Sequence, residues 1–156
     1  MPYIPITCEG AGSVLSNDFL LDINTTPSAA APTWAPVRAG VTDLTMSTND
    51  SLDQPSFMDG GGWGSTEVVG AQLTASVSAN RIEGDAAQDY VLENAFKLGC
   101  ERKTHAKVTA PNGDIRQGEV TIANITLPGG SAGSNATFTF EIHWNGEPEF
   151  IAAGTL

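Results

Sequence analysis

Strict two-residue alternation most narrowly limits what this chain can fold into. In 136–144, Phe138, Phe140, Ile142 and Trp144 alternate with Thr137, Thr139, Glu141 and His143. In 69–79, Val69, Ala71, Leu73, Ala75 and Val77 alternate with Gln72, Thr74, Ser76 and Ser78. Successive strand residues point to opposite faces, so each segment predicts a strand with one side in a core and one in water. Shorter runs repeat the pattern: Leu44 and Met46 between Asp43, Thr45 and Ser47, and Ala106 and Val108 between His105, Lys107 and Thr109. Pro111-Asn112-Gly113-Asp114 joins the last of these to a return strand over 115–127, because Asn-Gly favours a tight hairpin. There Val120 and Ile122 share one parity and Ile125 and Leu127 the other, which predicts a bulge near Ala123–Asn124. Phe19–Ile23 is a further candidate strand.

One segment has helical spacing. Asp85 is placed to cap it, Gln88 follows at the capping-box position, and Ala87, Val91, Ala95 and Leu98 recur along one face. Leu92 and Phe96 widen that face, and Gly99 is placed to stop the helix. The expected fold is mainly β, a β-sandwich or barrel with one helix laid against it. The 156 residues suit one domain, in which 1–36 form a proline-rich N-terminal arm and 37–156 the β domain. Within the arm, Thr25–Pro36 reads as extended, since proline cannot donate to a ladder.

A long loop, 48–66, interrupts the β domain. It carries Leu52, Phe57, Met58 and Trp63 among turn residues. Loops of this length are uncommon in compact domains and are often functional. Its apolar groups need cover, either from their own domain or from a neighbouring subunit.

Charge and composition exclude several functions. The net charge is −11, with seven Lys and Arg, and nucleic-acid binding needs cations to neutralise phosphates. Arg102, Lys103 and Lys107 are the only basic cluster, read as a solvated strand face. No apolar run approaches a membrane span, and no basic segment precedes an apolar stretch near the start, so synthesis in the cytosol is expected. Cys8 and Cys100 are then expected as free, buried thiols. The sequons at Asn24, Asn49, Asn124 and Asn135 have no role in that setting.

Catalysis has little support. His105 and His143 fall on polar strand faces with no nucleophile context. Asp50, Asp53 and Asp59 share the long loop but lack the spacing of a calcium loop. The glycines at 60–62 and 64 do not open a helix after a strand, so they make no phosphate cradle. No enzyme activity, cofactor or metal is expected.

Three segments resemble the major tail tube protein of long-tailed, non-contractile bacteriophages. They are 34–44 (WAPVRAGVTDL) leading into Ser47–Asp50, 81–89 (RIEGDAAQD) entering the helix, and the Pro-Asn-Gly-Asp hairpin followed by 140–148 (FEIHWNGEP). The resemblance spans about 34–148. It implies a virion tail protein, assembled in the host cytoplasm, whose hexameric rings stack into a tube that conducts DNA during ejection. Implied partners are further copies of itself, the tape measure, tail terminator and distal tail proteins, and DNA that passes without specific binding. On this reading Leu52, Phe57, Met58 and Trp63 contact a neighbouring subunit. The polar strand faces, with Asp43, Thr45, Gln72, Thr74, Ser76, Lys107, Glu119 and Thr121, line the channel, and His105 accompanies Lys107 there. Six copies at −11 carry −66, a sleeve that offers phosphate few sticky contacts.

Rival readings stay open. Trp34, Trp63 and Trp144 suggest a sugar platform on an adhesion or carbohydrate-binding module, although Trp144 has core parity. A tail terminator, a capsid decoration protein or a secretion-system tube protein has the same assembling character.

Overall fold

A computed structural model describes residues 13–154. Among the described residues, ten strands form in chain order: β1 Leu20–Asn24, β2 Trp34–Pro36, β3 Val41–Ser47, β4 Ser51–Asp53, β5 Glu67–Gly70, β6 Thr74–Asn80, β7 Lys103–Thr109, β8 Ile115–Gly129, β9 Thr137–Trp144 and β10 Glu149–Ile151. An α-helix, α1, spans Ala86–Glu93. All strands except β4 and β5 belong to one antiparallel sheet, ordered β2-β1-β7-β8-β9-β6-β3, with β10 on β8.

Alternation organises the core. Leu21 and Ile23, Ala106 and Val108, Val120 and Ile122, Phe138 to Trp144, and Ala75, Val77 and Ala79 are buried on one face of the sheet. Phe138 and Phe140 stack with ring centroids 5.9 Å apart. Ala87 and Val91 of α1 complete the cluster, so the helix covers the apolar face as expected. The bulge also forms where parity switches: the β8–β9 register shifts between Ala123 and Thr126, and Asn124 takes φ +51°.

Several boundaries differ from the sequence reading. Residues 20–36 are not a detached arm, because β1 pairs with β7 in the sheet and Ala35 and Val37 are buried. The prolines fit because β2 is an edge strand, where Pro36 need not donate outward. Asn24 shapes the connection by accepting from the Thr26 and Thr33 backbone N–H groups. The expected strand 69–79 is two strands. Its first part, β5, pairs with β4 outside the main sheet, and Val69 is exposed. Alternation alone does not say which neighbour a strand meets.

The helix is shorter than its periodicity. Asp85 accepts from the Gln88 N–H, as an N-cap does. Gln88 does not complete a reciprocal box. Its buried amide donates to Ala39 O at 2.7 Å and Asn80 O at 3.1 Å, and accepts from Ile82 N at 2.8 Å. It thereby fastens α1 to the turns flanking β3 and β6. Gly40 in the first turn has φ +71°, and a Cβ there would lie 2.4 Å from Asn80 O. The helix closes at Asn94, whose side chain donates to Tyr90 O. Gly99 opens a 3-10 turn, Gly99–Arg102, instead of ending the helix. Phe96 and Leu98, expected on the buried stripe, are 81% and 82% exposed. Cys100 is exposed too, against the expectation of a buried thiol. Cys8 lies outside the described residues.

Candidate assembly surfaces

The sheet brings the polar halves of six strands onto one continuous face. Reading across by register, Ser47 lies beside Thr74, then His143, Thr121 and Lys103. One row along, Thr45, Ser76, Glu141 and Ala123 follow each other. Asp43, Ser78, Thr139 and Thr126 form a third row. Towards the other end, Glu119 faces His105, and Gln117, Lys107 and Asp22 are successive partners. Seven of the eight residues expected on a channel wall therefore share one face: Asp43, Thr45, Thr74, Ser76, Lys107, Glu119 and Thr121. Gln72 lies outside the strands. It borders the same face, beside Thr74 and His143, while its side chain donates to Trp144 O.

The face is predominantly acidic, and its cations are engaged. Lys103 pairs with Glu119 at 3.5 Å. Lys107 sits over the Trp34 ring, 4.6 Å from its centroid. That contact gives Trp34 a partner within its own chain. Asp22, Lys103, Glu141 and Glu149 lie on the same face in addition to those eight residues. Strand parity could have supplied the first three, but β10, which carries Glu149, is only three residues long and left no alternation to read. Glu141 accepts from Asn124 Nδ2 at 2.7 Å and meets His143 Nε2 at 3.0 Å. The Asn124 hydrogen bond, followed by the His143 contact, lowers the Glu141 pKa below the ordinary carboxylate value.

A second surface lies in residues 48–72. The long loop is not irregular, because β4 and β5 pair as a hairpin and Ser56 bridges Gly64 nearer its tip. A 3-10 turn, Met58–Gly60, and left-handed Gly61 and Gly62 shape the tip. Its base is pinned: Gln72 N–H donates to Thr48 O at 2.8 Å, and Asn49 Nδ2 donates to Thr74 Oγ1 at 2.7 Å. Leu52, Phe57, Met58 and Trp63 are all exposed, as are Val68 and Val69. The hairpin does not fold its anchors onto its own domain. An isolated two-stranded hairpin is marginal in water, so an apolar one implies cover from elsewhere.

Among the described residues, no group of three or more His, Cys, Asp or Glu is placed to hold a metal ion, and no helix is long and apolar enough to cross a membrane. Trp144 is buried, which removes it from any sugar platform.

A broad polar sheet face, an apolar face covered by a helix and a projecting apolar hairpin define a structural subunit. The chain belongs to the phage tail tube protein family, whose model matches residues 14–150. It is a structural component of the tail of phage-like particles. No curated protein matches the sequence. Among solved structures, it is similar to a chain in the tail of an empty gene transfer agent particle, refined helically with C6 symmetry. That chain has a TM-score of 0.72 and 19% identity, over 90% of this chain and 100% of that one. A chain of the native gene transfer agent virion gives 0.69 and 20%, over 90% and 100%. A chain from the sheath/tube terminator structure of an extracellular contractile injection system gives 0.59 and 10%, over 92% and 99%.

Proposed function

We propose that this protein forms six-membered rings that stack into the tail tube of a long-tailed, non-contractile phage or phage-like particle, and that DNA passes through the tube during ejection. The continuous polar face carries the proposal. A wall needs one face towards its channel and one packed away from it, and here every strand from β3 to β1 contributes to both. The C6 symmetry reported for the similar gene transfer agent tail supports the ring number.

On this reading the polar face lines the channel. It presents Asp22, Asp43, Glu119, Glu141 and Glu149 against Lys103 and Lys107, and both lysines are already occupied by Glu119 and Trp34. Phosphates passing such a wall find no free row of cations to bind, so DNA slides. The hairpin supplies contacts between subunits through Leu52, Phe57, Met58 and Trp63, since large apolar anchors dominate the energy of such interfaces. The tape measure, tail terminator and distal tail proteins would meet the finished tube. Residues 48–72 would be the assembly arm, and the sheet, from β1 onward, the wall.

Negative-stain electron microscopy and sedimentation across a concentration series test the reading. Rings and hollow tubes of even diameter are expected. A monomer at every concentration, including after mixing with preformed tail tips, would overturn it.

A further inference from the structure

We propose that Asn49 and Gln72 form a brace that sets the hairpin arm at a fixed angle to the sheet in the unassembled subunit. The arm is then presented to a neighbouring copy already oriented. Its part in assembly rests on the tube reading; the brace itself belongs to the free chain.

The hairpin is joined to the sheet by two short legs, 48–50 after β3 and 71–73 before β6. Legs without partners would let it swing about their backbone torsions. Here they are tied to each other. Thr48 O accepts from the Gln72 N–H at 2.8 Å. Asn49 Nδ2 donates to Gln72 O at 3.2 Å and to Thr74 Oγ1 at 2.7 Å, and Asn49 Oδ1 accepts from Ser47 Oγ at 3.3 Å. The second leg is also tied to the end of β9. Gln72 Nε2 donates to Trp144 O at 3.3 Å, and the Trp144 N–H donates to Leu73 O at 2.9 Å. Trp144 is the largest fully buried side chain among the described residues, so this leg is fastened to a fixed point.

Backbone strain marks the same place. Asn49 has φ +45°, and among the described non-glycine residues it shares a positive φ with Asn124 alone. Asn124 sits at the β8 bulge, whereas Asn49 turns the chain out of β3 and aims its amide back across the legs. Asparagine tolerates this region better than most side chains, but a residue persists there only where its surroundings over-determine it. Glycine would make the same turn at less steric cost. What asparagine adds is the amide.

Orientation matters because of what the arm carries. Leu52, Phe57, Met58 and Trp63 are exposed along it, and association loses affinity to every segment that must be ordered on contact. A braced arm has its angle set before the neighbour arrives. The bonds of the Asn49 amide lie at the surface and outside the buried cluster, so breaking them frees the arm without opening the core.

Pulsed electron paramagnetic resonance on the monomer reads the angle. In a Cys8→Ser background, spin labels are placed on the exposed Cys100 and on Glu67→Cys in β5. Below the concentration that gives tubes, a single narrow distance distribution is expected. Asn49→Ala with Gln72→Ala should broaden it while the thermal midpoint of the monomer stays unchanged. Asn49→Gly, which keeps the turn and loses the amide, should broaden it too. The double alanine variant should raise the concentration needed for tubes about tenfold. A broad distribution in the parent, or a narrow one that the variants leave unchanged, would overturn the brace. A broadened distribution with an unchanged tube threshold would overturn its part in assembly. A narrow distribution that the variants broaden, in a protein that forms no rings or tubes, would overturn the tube reading and leave the brace standing.

Discussion

Gln88→Leu tests how the helix is locked to the sheet. The Gln88 side chain is buried and satisfies the carbonyls of Ala39 and Asn80 and the N–H of Ile82. Leucine fills a similar volume and makes none of these bonds. A buried backbone group left without a partner costs about 1–3 kcal/mol. Ile82 is partly exposed, so water can reach its neighbourhood and the sum falls below three full penalties. Arg81 keeps its ion pair with Asp89, so no charge is orphaned. The expected loss is about 2–3 kcal/mol, which for a domain of this size lowers the melting temperature by about 4–12 °C. Paired denaturant and thermal melts of the unassembled protein measure it. A loss below about 1 kcal/mol would refute the claim that this amide fastens α1 across the β3 and β6 turns, because an ordinary surface substitution costs less than that.

Three further outcomes are expected. Removing 50–63 should leave a folded monomer with an unchanged core melt that sediments as a single species and forms no tubes. Lys107→Glu should loosen the Trp34 contact by about 0.5–1 kcal/mol and leave DNA ejection nearly unchanged; normal tubes with a large ejection defect would contradict a merely repulsive wall. Glu141→Gln should alter the acid limb of stability. Since the folded-state pKa of Glu141 lies below its ordinary 4.5, its contribution is present above that value and is lost as pH falls through the lower one. The wild-type melting temperature should therefore decline more steeply than that of Glu141→Gln below about pH 4.5, and parallel curves would refute the Asn124–Glu141–His143 arrangement.

The sequence made the buried face and its polar reverse legible wherever alternation was long. Phe138 to Trp144 and the parity switch at Asn124 are cases where local pattern and global packing agree. The break at Ala71–Leu73 was not legible, because Val69 and Ala71 keep the parity of the strand that follows while β5 changes partner to β4. The helix end differs for a similar reason: Phe96 and Leu98 continue the 3.6-residue spacing, but Asn94 caps the helix and Arg102 ties the following turn to Ile122 of β8. The apolar anchors of the arm were readable as residues that need cover. Their hairpin geometry was not, because Ser51–Asp53 and Glu67–Gly70 are short and show no alternation. The turn that leaves Phe96 and Leu98 exposed depends on Arg102 donating to the carbonyls of Lys97, Ala95 and Ile122, two of them five and seven residues earlier in the chain and the third on β8, and no local pattern records that.

The most direct test of the account is a cryo-electron microscopy map of assembled tubes, at a resolution that separates the two sheet faces. The account predicts rings of six in which Asp43, Thr45, Ser76, Glu119, Thr121 and Glu141 line the channel and α1 lies outside. A channel lined by α1, or by the arm with the polar face turned outward, would contradict it.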